Sequence, residues 1–284
     1  MQAKVSCVYG IVKDTFSKKI IITFRGSQNP DFSTRDWRTN LDANLVPMKT
    51  PGLIRDALTG SDKDRILVHD GFHDYLFDND RIAGQQMYDR IIEDIKPLLT
   101  MEEAPYGVYV TGHSLGAALS QLFSFQVAGE RRNADWMPKP ITCISFAAPR
   151  QGASGYRAAV EQEEKMGLIR MLRINNEDDI VPTLPPWSLG WRKRLMKHVG
   201  INLRLGADGY SIMHTSSVGF SNAFSNSIFK FGNLLKYHSM LLHDKRMEMN
   251  YNDFSSIMID DLYKNTTIVS EKFLDDRKND GGEL

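Results

Sequence analysis

The pentapeptide Gly112-His-Ser-Leu-Gly116 is the feature that most restricts how this chain can fold. An apolar stretch enters it from Tyr106 to Val110, and small and apolar residues follow it from Leu115 to Gly129. A Gly-x-Ser-x-Gly sequence between a strand and a helix predicts a sharp turn, in which side chains at the two glycine positions would collide with neighbouring backbone. The turn would present the hydroxyl of Ser114 at the carboxyl edge of a sheet. The simpler alternative is that Ser114 only caps the helix.

Strands and helices alternate along most of the chain. Apolar and β-branched runs predict strands at 5–12, 19–24, 106–110, 141–146 and 168–174. Helical spacing of apolar residues predicts helices at 72–99, 115–129, 155–165 and 229–249. This alternation favours a mostly parallel sheet flanked by helices. We predict one α/β domain over 1–249 and a polar tail over 250–284. The tail contains eight acidic and four basic residues.

The composition narrows the classes of function. Thirty-five basic residues balance 35 acidic ones, so the broad basic field of a nucleic-acid-binding protein is not expected. Two cysteines cannot build a disulfide framework, which favours a reducing compartment and a cytoplasmic protein, peripheral at most to lipid surfaces. No cluster has metal-ligand spacing and no glycine-rich phosphate loop occurs, so neither a metal nor another cofactor is predicted. The chain begins almost directly in a predicted strand, so we expect its numbering to start inside a longer protein.

A serine hydroxyl needs a base and a carboxylate before it becomes a strong nucleophile. The carboxylate is expected where a strand ends, because such sheets place functional groups at that edge. Asp179 follows the strand predicted at 168–174 and is the first choice. Glu177 and Asp178 are its competitors.

The base is sought among the histidines that follow this acid. His238 is the first choice, at the start of the last predicted helix. His198, His214 and His243 stay open as alternatives, although His243 would point elsewhere on a helix. His113, inside the pentapeptide, is expected to pack or bond locally.

Six motifs in a fixed order resemble class 3 lipases, the fungal-type triacylglycerol lipase family with an α/β-hydrolase fold. The resemblance spans about residues 5 to 250 and rests on Thr23-Phe-Arg-Gly-Ser27, Asp36-Trp37, Val68-His-Asp-Gly-Phe72, Val110-Thr-Gly-His-Ser-Leu-Gly-Ala117, Ala148-Pro149 and Asn176-Glu-Asp-Asp-Ile-Val-Pro-x-Leu-Pro-Pro186. The chain lacks the N-terminal helical portion that usually precedes the first family strand. The segment 203–231 carries no family motif.

The resemblance implies Ser114 as nucleophile, Asp179 as acid and His238 as base. It also implies that Ser27 donates to the oxyanion together with the backbone N–H of Leu115. No cofactor is implied. The implied activity is hydrolysis of lipid carboxylic esters, with acylglycerols as the first choice and with phospholipids or galactolipids as the alternative. A non-catalytic lipase-like scaffold that binds lipid or a partner is the rival from another class.

Two segments are expected to meet lipid. The resemblance implies a lid over about 28–41 with Phe32, Trp37 and Leu41, and an ordinary surface helix is the alternative. The basic, aromatic stretch from Trp187 to Lys197 would suit anionic headgroups, although such a run is more often a solvated loop. Transient contact with a membrane or lipid droplet is therefore the expected partnership besides the lipid ester substrate.

Overall fold

The computed structural model describes residues 8–27, 44–58, 66–78, 84–100, 105–185, 195–214 and 234–264. The predicted lid residues Phe32, Trp37 and Leu41 lie outside these ranges. Residues 187–194 of the basic stretch lie outside them as well.

A single large sheet organises the described residues. Its strands are β1 (Tyr9–Asp14), β2 (Lys19–Phe24), β5 (Gly107–His113), β6 (Ile141–Phe146), β7 (Ile169–Asn176), β8 (Ile201–Leu205) and β9 (Tyr210–His214), in the order β1-β2-β5-β6-β7-β8-β9. Neighbours from β2 to β8 are parallel, whereas β1 and β9 are antiparallel edges. Two short strands, β3 (Leu45–Pro47) and β4 (Leu67–His69), pair separately. The predicted mostly parallel sheet is confirmed.

Helices flank the sheet, as predicted. They are α1 (Asp70–Phe77), α2 (Met87–Thr100), α3 (Leu115–Gly129), α4 (Ser154–Lys165), α5 (Leu234–Tyr237), α6 (Met240–Met249), α7 (Tyr251–Phe254) and α8 (Ile259–Lys264). Every residue of α3 is buried, so the helix that follows the pentapeptide is anchored along its whole length.

The sheet separates two apolar clusters. On β6, Ile141 and Cys143 belong to the larger cluster, while Ile144 and Phe146 pack against the smaller one. Successive strand side chains point to opposite faces, so this alternation fixes which residues each layer covers. Strand β6 is therefore packed on both faces, with one apolar cluster on each side.

Two helix predictions were wrong in their extent. The helix predicted at 72–99 is two helices, because Asp78 turns to an extended conformation after α1 and Gly84 has a φ of +67° before α2. A left-handed residue cannot continue a helix, and glycine adopts this conformation without strain. The helix predicted at 229–249 is likewise divided between α5 and α6, and His238 lies at the division.

Strands β8 and β9 were not predicted. Ile201, Leu203 and Leu205 alternate with polar residues and are buried, so a period-two signal was present in the sequence. Farther on, α7 and α8 fall in the segment that we predicted as a polar tail. Leu262 of α8 is buried against β7 and β8 within the smaller cluster, while the domain boundary itself remains a prediction.

Candidate active site

The predicted sharp turn lies between β5 and α3. Ser114 has φ 58° and ψ −121°, a conformation that side-chain-bearing residues rarely adopt. A Cβ at Gly112 would overlap the backbone of Gly116, and one at Gly116 would overlap the carbonyl of Phe24. Both glycines are therefore required by close backbone approach. Ser114 holds the N-cap position of α3 but makes no side-chain capping bond, so capping does not account for its side chain.

The hydroxyl of Ser114 is enclosed at this turn. The residue is 4% exposed, and its Oγ has no hydrogen-bond partner within the described ranges. The hydroxyl is therefore not bonded to His238 in this conformation. Bonds between nucleophile and base are often long in unliganded enzymes and tighten when substrate binds.

Asp179 and His238 are brought together at the carboxyl edge of the sheet. Nδ1 of His238 donates to Oδ2 of Asp179 over 2.9 Å, and both side chains are buried. Oδ1 of Asp179 accepts from the backbone N–H of Val181 over 3.0 Å. Both carboxylate oxygens are thus engaged. Because Nδ1 carries the proton of the neutral ring, Nε2 is left as the basic nitrogen.

The two competing acids have other partners. Arg204 places Nη2 3.0 Å from Oε1 of Glu177. Arg246 places Nη2 3.8 Å from Oδ2 of Asp178. Asp179, by contrast, bonds the ring of His238.

The alternative histidines make different contacts. Nε2 of His198 donates to the carbonyl of Pro182 over 2.6 Å, and Nδ1 of His243 donates to the carbonyl of Ser239 over 3.0 Å. The side chain of His214 lies outside the description. Among the histidines whose side chains are described, His238 is the one that bonds Asp179.

His113 has a role that the sequence did not indicate. Its Nε2 donates to the backbone carbonyl of His238 over 2.7 Å, although the two residues are 125 positions apart. The rings of His113 and His238 also pack with centroids 4.5 Å apart. Burial, together with the nearby His238 and His243, lowers the pKa of His113 to about 3, which keeps it neutral. The expectation that it bonds only locally was wrong.

Asn176 also contacts this segment. Its Nδ2 donates to the carbonyl of Tyr237 over 2.9 Å and lies 3.0 Å from Nδ1 of His243. Nη1 of Arg246 lies 3.3 Å from the amide oxygen of Asn176 and donates to the carbonyl of Leu205 over 2.9 Å. Nothing in the local pattern distinguished Asn176 from other asparagines at strand ends.

The two predicted oxyanion donors are the hydroxyl of Ser27 and the backbone N–H of Leu115. Ser27 follows β2, and a Cβ on the preceding Gly26 would come within 2.9 Å of the carbonyl of His113, so this segment runs against the turn. Oγ of Ser27 is buried and has no hydrogen-bond partner among the described residues. Leu115 begins α3, where backbone N–H groups lack intrahelical acceptors.

Two features are absent from the described residues. The part of the chain that the structure describes contains no group of three or more histidine, cysteine or acidic side chains able to hold a metal ion. None of the described helices has the length and apolar character needed to cross a membrane.

Comparison with known proteins gives relatives from plants and structural neighbours from fungi. Phospholipase A1-II 6 of Oryza sativa subsp. japonica is 29% identical over 179 residues, 60% of this chain and 41% of its own length. Galactolipase DONGLE, chloroplastic, of Arabidopsis thaliana is 26% identical over 226 residues, 73% of this chain and 44% of its own. The chain therefore spans less than half the length of these relatives.

Solved structures share the fold. Rhizomucor miehei triacylglyceride lipase superposes with a TM-score of 0.57 at 24% identity, covering 81% of this chain and 74% of that one. Lipase II from Rhizopus niveus gives 0.56 at 23% identity, covering 81% and 73%. The family model described as lipase (class 3) matches residues 21–189, more than half of the chain. With its serine turn, its parallel sheet and this match, the chain belongs to the class 3 lipase family.

Proposed function

We propose that this protein is a serine hydrolase that cleaves carboxylic esters of lipids, with Ser114 as nucleophile, His238 as base and Asp179 as acid. The observation that carries the proposal is the hydrogen bond from Nδ1 of His238 to Asp179. It orients the ring and leaves Nε2 able to accept a proton. Ser114 lies at the same sheet edge, where its backbone is strained and its hydroxyl is enclosed, and it supplies the nucleophile.

The reaction proceeds in two halves. Nε2 of His238 takes the proton of Ser114 while Oγ forms a bond to the ester carbonyl carbon. The bond from that carbon to the alcohol oxygen then breaks, and His238 returns the proton to the departing alcohol. Water attacks the acyl carbon with the same base, which releases the fatty acid and restores Ser114. Asp179 stabilises the imidazolium that forms on His238.

Two hydrogen bonds would stabilise the oxyanion of each tetrahedral intermediate. The Oγ of Ser27 and the N–H of Leu115 are the proposed donors. The hydroxyl of Ser27 has no other partner in the described chain, so it is available to a ligand. A preorganised donor of this kind contributes about 3 kcal/mol to transition-state stabilisation.

Acylglycerols are the first choice of substrate. The names of the relatives, phospholipase A1 and galactolipase, favour phospholipids or galactolipids as a second candidate class. All three classes present the same glycerol ester to the nucleophile and differ in what surrounds it. We further propose that Phe32, Trp37 and Leu41 belong to a lid and that the carboxyl edge of the sheet meets the lipid surface.

The Ser114→Ala variant tests the mechanism. It should retain the fold and lose both hydrolysis of a p-nitrophenyl ester and labelling by a fluorophosphonate. Ser120→Ala is the matched control, because Ser120 is a buried serine of α3 whose hydroxyl donates to the carbonyl of Ala117. Turnover retained by Ser114→Ala would refute the assignment. Absence of labelling in the unmodified protein would favour the non-catalytic scaffold instead.

A glycerolipid panel tests the substrate class. Emulsified triacylglycerol, diacylglycerol, phosphatidylcholine and monogalactosyldiacylglycerol would be compared at equal ester concentration, with released fatty acid as the readout. Fastest release from the neutral acylglycerols supports the first choice. Fastest release from either polar lipid supports the second candidate, and Ser114→Ala gives the background for each.

A further inference from the structure

The backbone that carries His238 is held from two strand ends. His113 is the last residue of β5 and Asn176 the last of β7. The ring of His113 donates to the carbonyl of His238, and the amide of Asn176 donates to the carbonyl of Tyr237. Two consecutive carbonyls are therefore each bound by a side chain that projects from the sheet.

These carbonyls lie at the connection between two helices. Tyr237 ends α5, and α6 begins only at Met240, where the side chain of Ser239 accepts from the N–H of Leu241 over 3.2 Å. Carbonyls at a helix end have no intrahelical donor, and buried ones need another partner. The side chains of His113 and Asn176 supply donors to this short connection.

His113 is chemically suited to this role. A backbone carbonyl only accepts, so Nε2 of His113 carries a proton. The low pKa of His113 keeps the ring neutral at ordinary pH, and it adds no positive charge beside His238. The rings of His113 and His238 are tilted by 40° with centroids 4.5 Å apart, so they are in contact.

We propose that His113 and Asn176 are positioning residues that fix the backbone of His238 and so align its ring between Asp179 and Ser114. The inference rests on the proposed function. Nδ1 of His238 is already tied to Asp179, so the backbone position decides where Nε2 points. A misplacement of about 1 Å costs on the order of 100-fold in rate, which makes this alignment important. The residue next to the nucleophile thus also positions the base.

Three substitutions of His113 separate positioning from packing. His113→Gln can place an amide N–H where Nε2 lies, His113→Asn carries the same group on a shorter side chain that falls short, and His113→Leu has no donor. Initial rates on a p-nitrophenyl ester and rates of fluorophosphonate labelling would be measured between pH 5 and 9. Circular dichroism would identify the variants that remain folded.

We expect the three substitutions of His113 to differ in their effect on kcat. His113→Leu and His113→Asn should lower kcat about 10- to 100-fold with KM nearly unchanged, while His113→Gln should recover most of the loss. A purely structural role would change the melting temperature of all three without this recovery. Equal kcat in the wild type and a folded His113→Leu would overturn the inference and leave the proposed function intact. No labelling of the wild type would overturn both.

Two adjacent asparagines provide an independent test. Asn176→Leu removes the donor to Tyr237, whereas Asn175→Leu removes a bond of 2.6 Å to the side chain of Asn202, which links β7 to β8. Asn176→Leu should lower kcat with little change in KM. Asn175→Leu should lower stability and leave kcat close to that of the wild type. The reverse pattern, or equal effects on kcat, would contradict a specific positioning role for Asn176.

Discussion

Replacing Asp179 by asparagine tests the proposed acid most directly. The N–H of Val181 points at Oδ1 and the ring of His238 at Oδ2, so the two oxygens are not equivalent. An asparagine must keep its oxygen towards Val181, because the opposite orientation would set two donors against each other at a buried site. An unsatisfied buried donor costs about 1–3 kcal/mol, which decides the orientation.

In that orientation the asparagine amide donates towards Nδ1 of His238. The ring then accepts at Nδ1 and carries its proton on Nε2, so it cannot deprotonate Ser114. The same change of tautomer in a serine protease lowers kcat by about 10⁴, which corresponds to about 5.5 kcal/mol of activation free energy. We expect a loss of that size for Asp179→Asn, with the fold retained.

The assay is single-turnover acylation by a p-nitrophenyl ester, with Asp178→Asn as the matched control. Asp178 is partly exposed and lies 3.8 Å from Arg246, so its replacement should leave acylation nearly unchanged. If folded Asp179→Asn kept more than about a tenth of the wild-type rate, a loss far smaller than the tautomer change predicts, the proposed acid would be wrong. A larger loss in Asp178→Asn would point to the competing carboxylate.

Three further outcomes are expected. Gly116→Ala should lower the free energy of unfolding in urea by about 3 kcal/mol, because its Cβ would overlap the carbonyl of Phe24. Leu241→Ser should weaken binding to phosphatidylcholine vesicles about 10-fold, since Leu241 is 81% exposed three residues after His238. Phe16→Ser is its control, because Phe16 is 99% exposed in the β1–β2 turn at the opposite sheet edge, and an equal effect would contradict the proposed lipid-facing edge. The unfolded chain binds a proton at His113 below about pH 6.5 while the folded protein stays neutral there, so stability should fall as the pH drops towards 3. His113→Gln should reduce that slope by up to about 1.4 kcal/mol per pH unit in urea unfolding, and an unchanged slope would show that His113 is not buried neutral.

The strand-turn-helix unit around Ser114 could be predicted because its determinants are local. An apolar strand, two glycines and a helix that begins with small residues adjoin one another in the sequence, and the two glycines are required by close approach of neighbouring backbone. The same alternation predicted a mostly parallel sheet, whereas the order of its strands is known from the structure. Strand β8 escaped prediction because its apolar residues are interrupted by Asn202 and Arg204, which break the run but keep the period of two.

Strand-end reasoning placed Asp179 first among three candidate acids, and the family resemblance implied the same residue. Glu177, Asp178 and Asp179 are consecutive carboxylates after one strand, and their side chains differ little in kind. Arg204 of β8 and Arg246 of α6 decide among them by binding the first two. Both arginines come from later, separate elements, so only the folded chain shows which carboxylate faces His238.

The hydrogen bond from His113 to the backbone of His238 could not be predicted from the local sequence. His113 ends strand β5 and occupies a variable position of the pentapeptide. The carbonyl to which it donates lies 125 residues away in the sequence. That acceptor is a backbone carbonyl, which every residue carries, so no side chain in the later sequence marks it. Such a bond can be found only when the fold is known, because the fold brings the connection between α5 and α6 to the end of β5. The same reasoning explains why the residue beside Ser114 is predicted to tolerate glutamine better than asparagine: what the site requires there is an N–H at one distance from the backbone, not an imidazole.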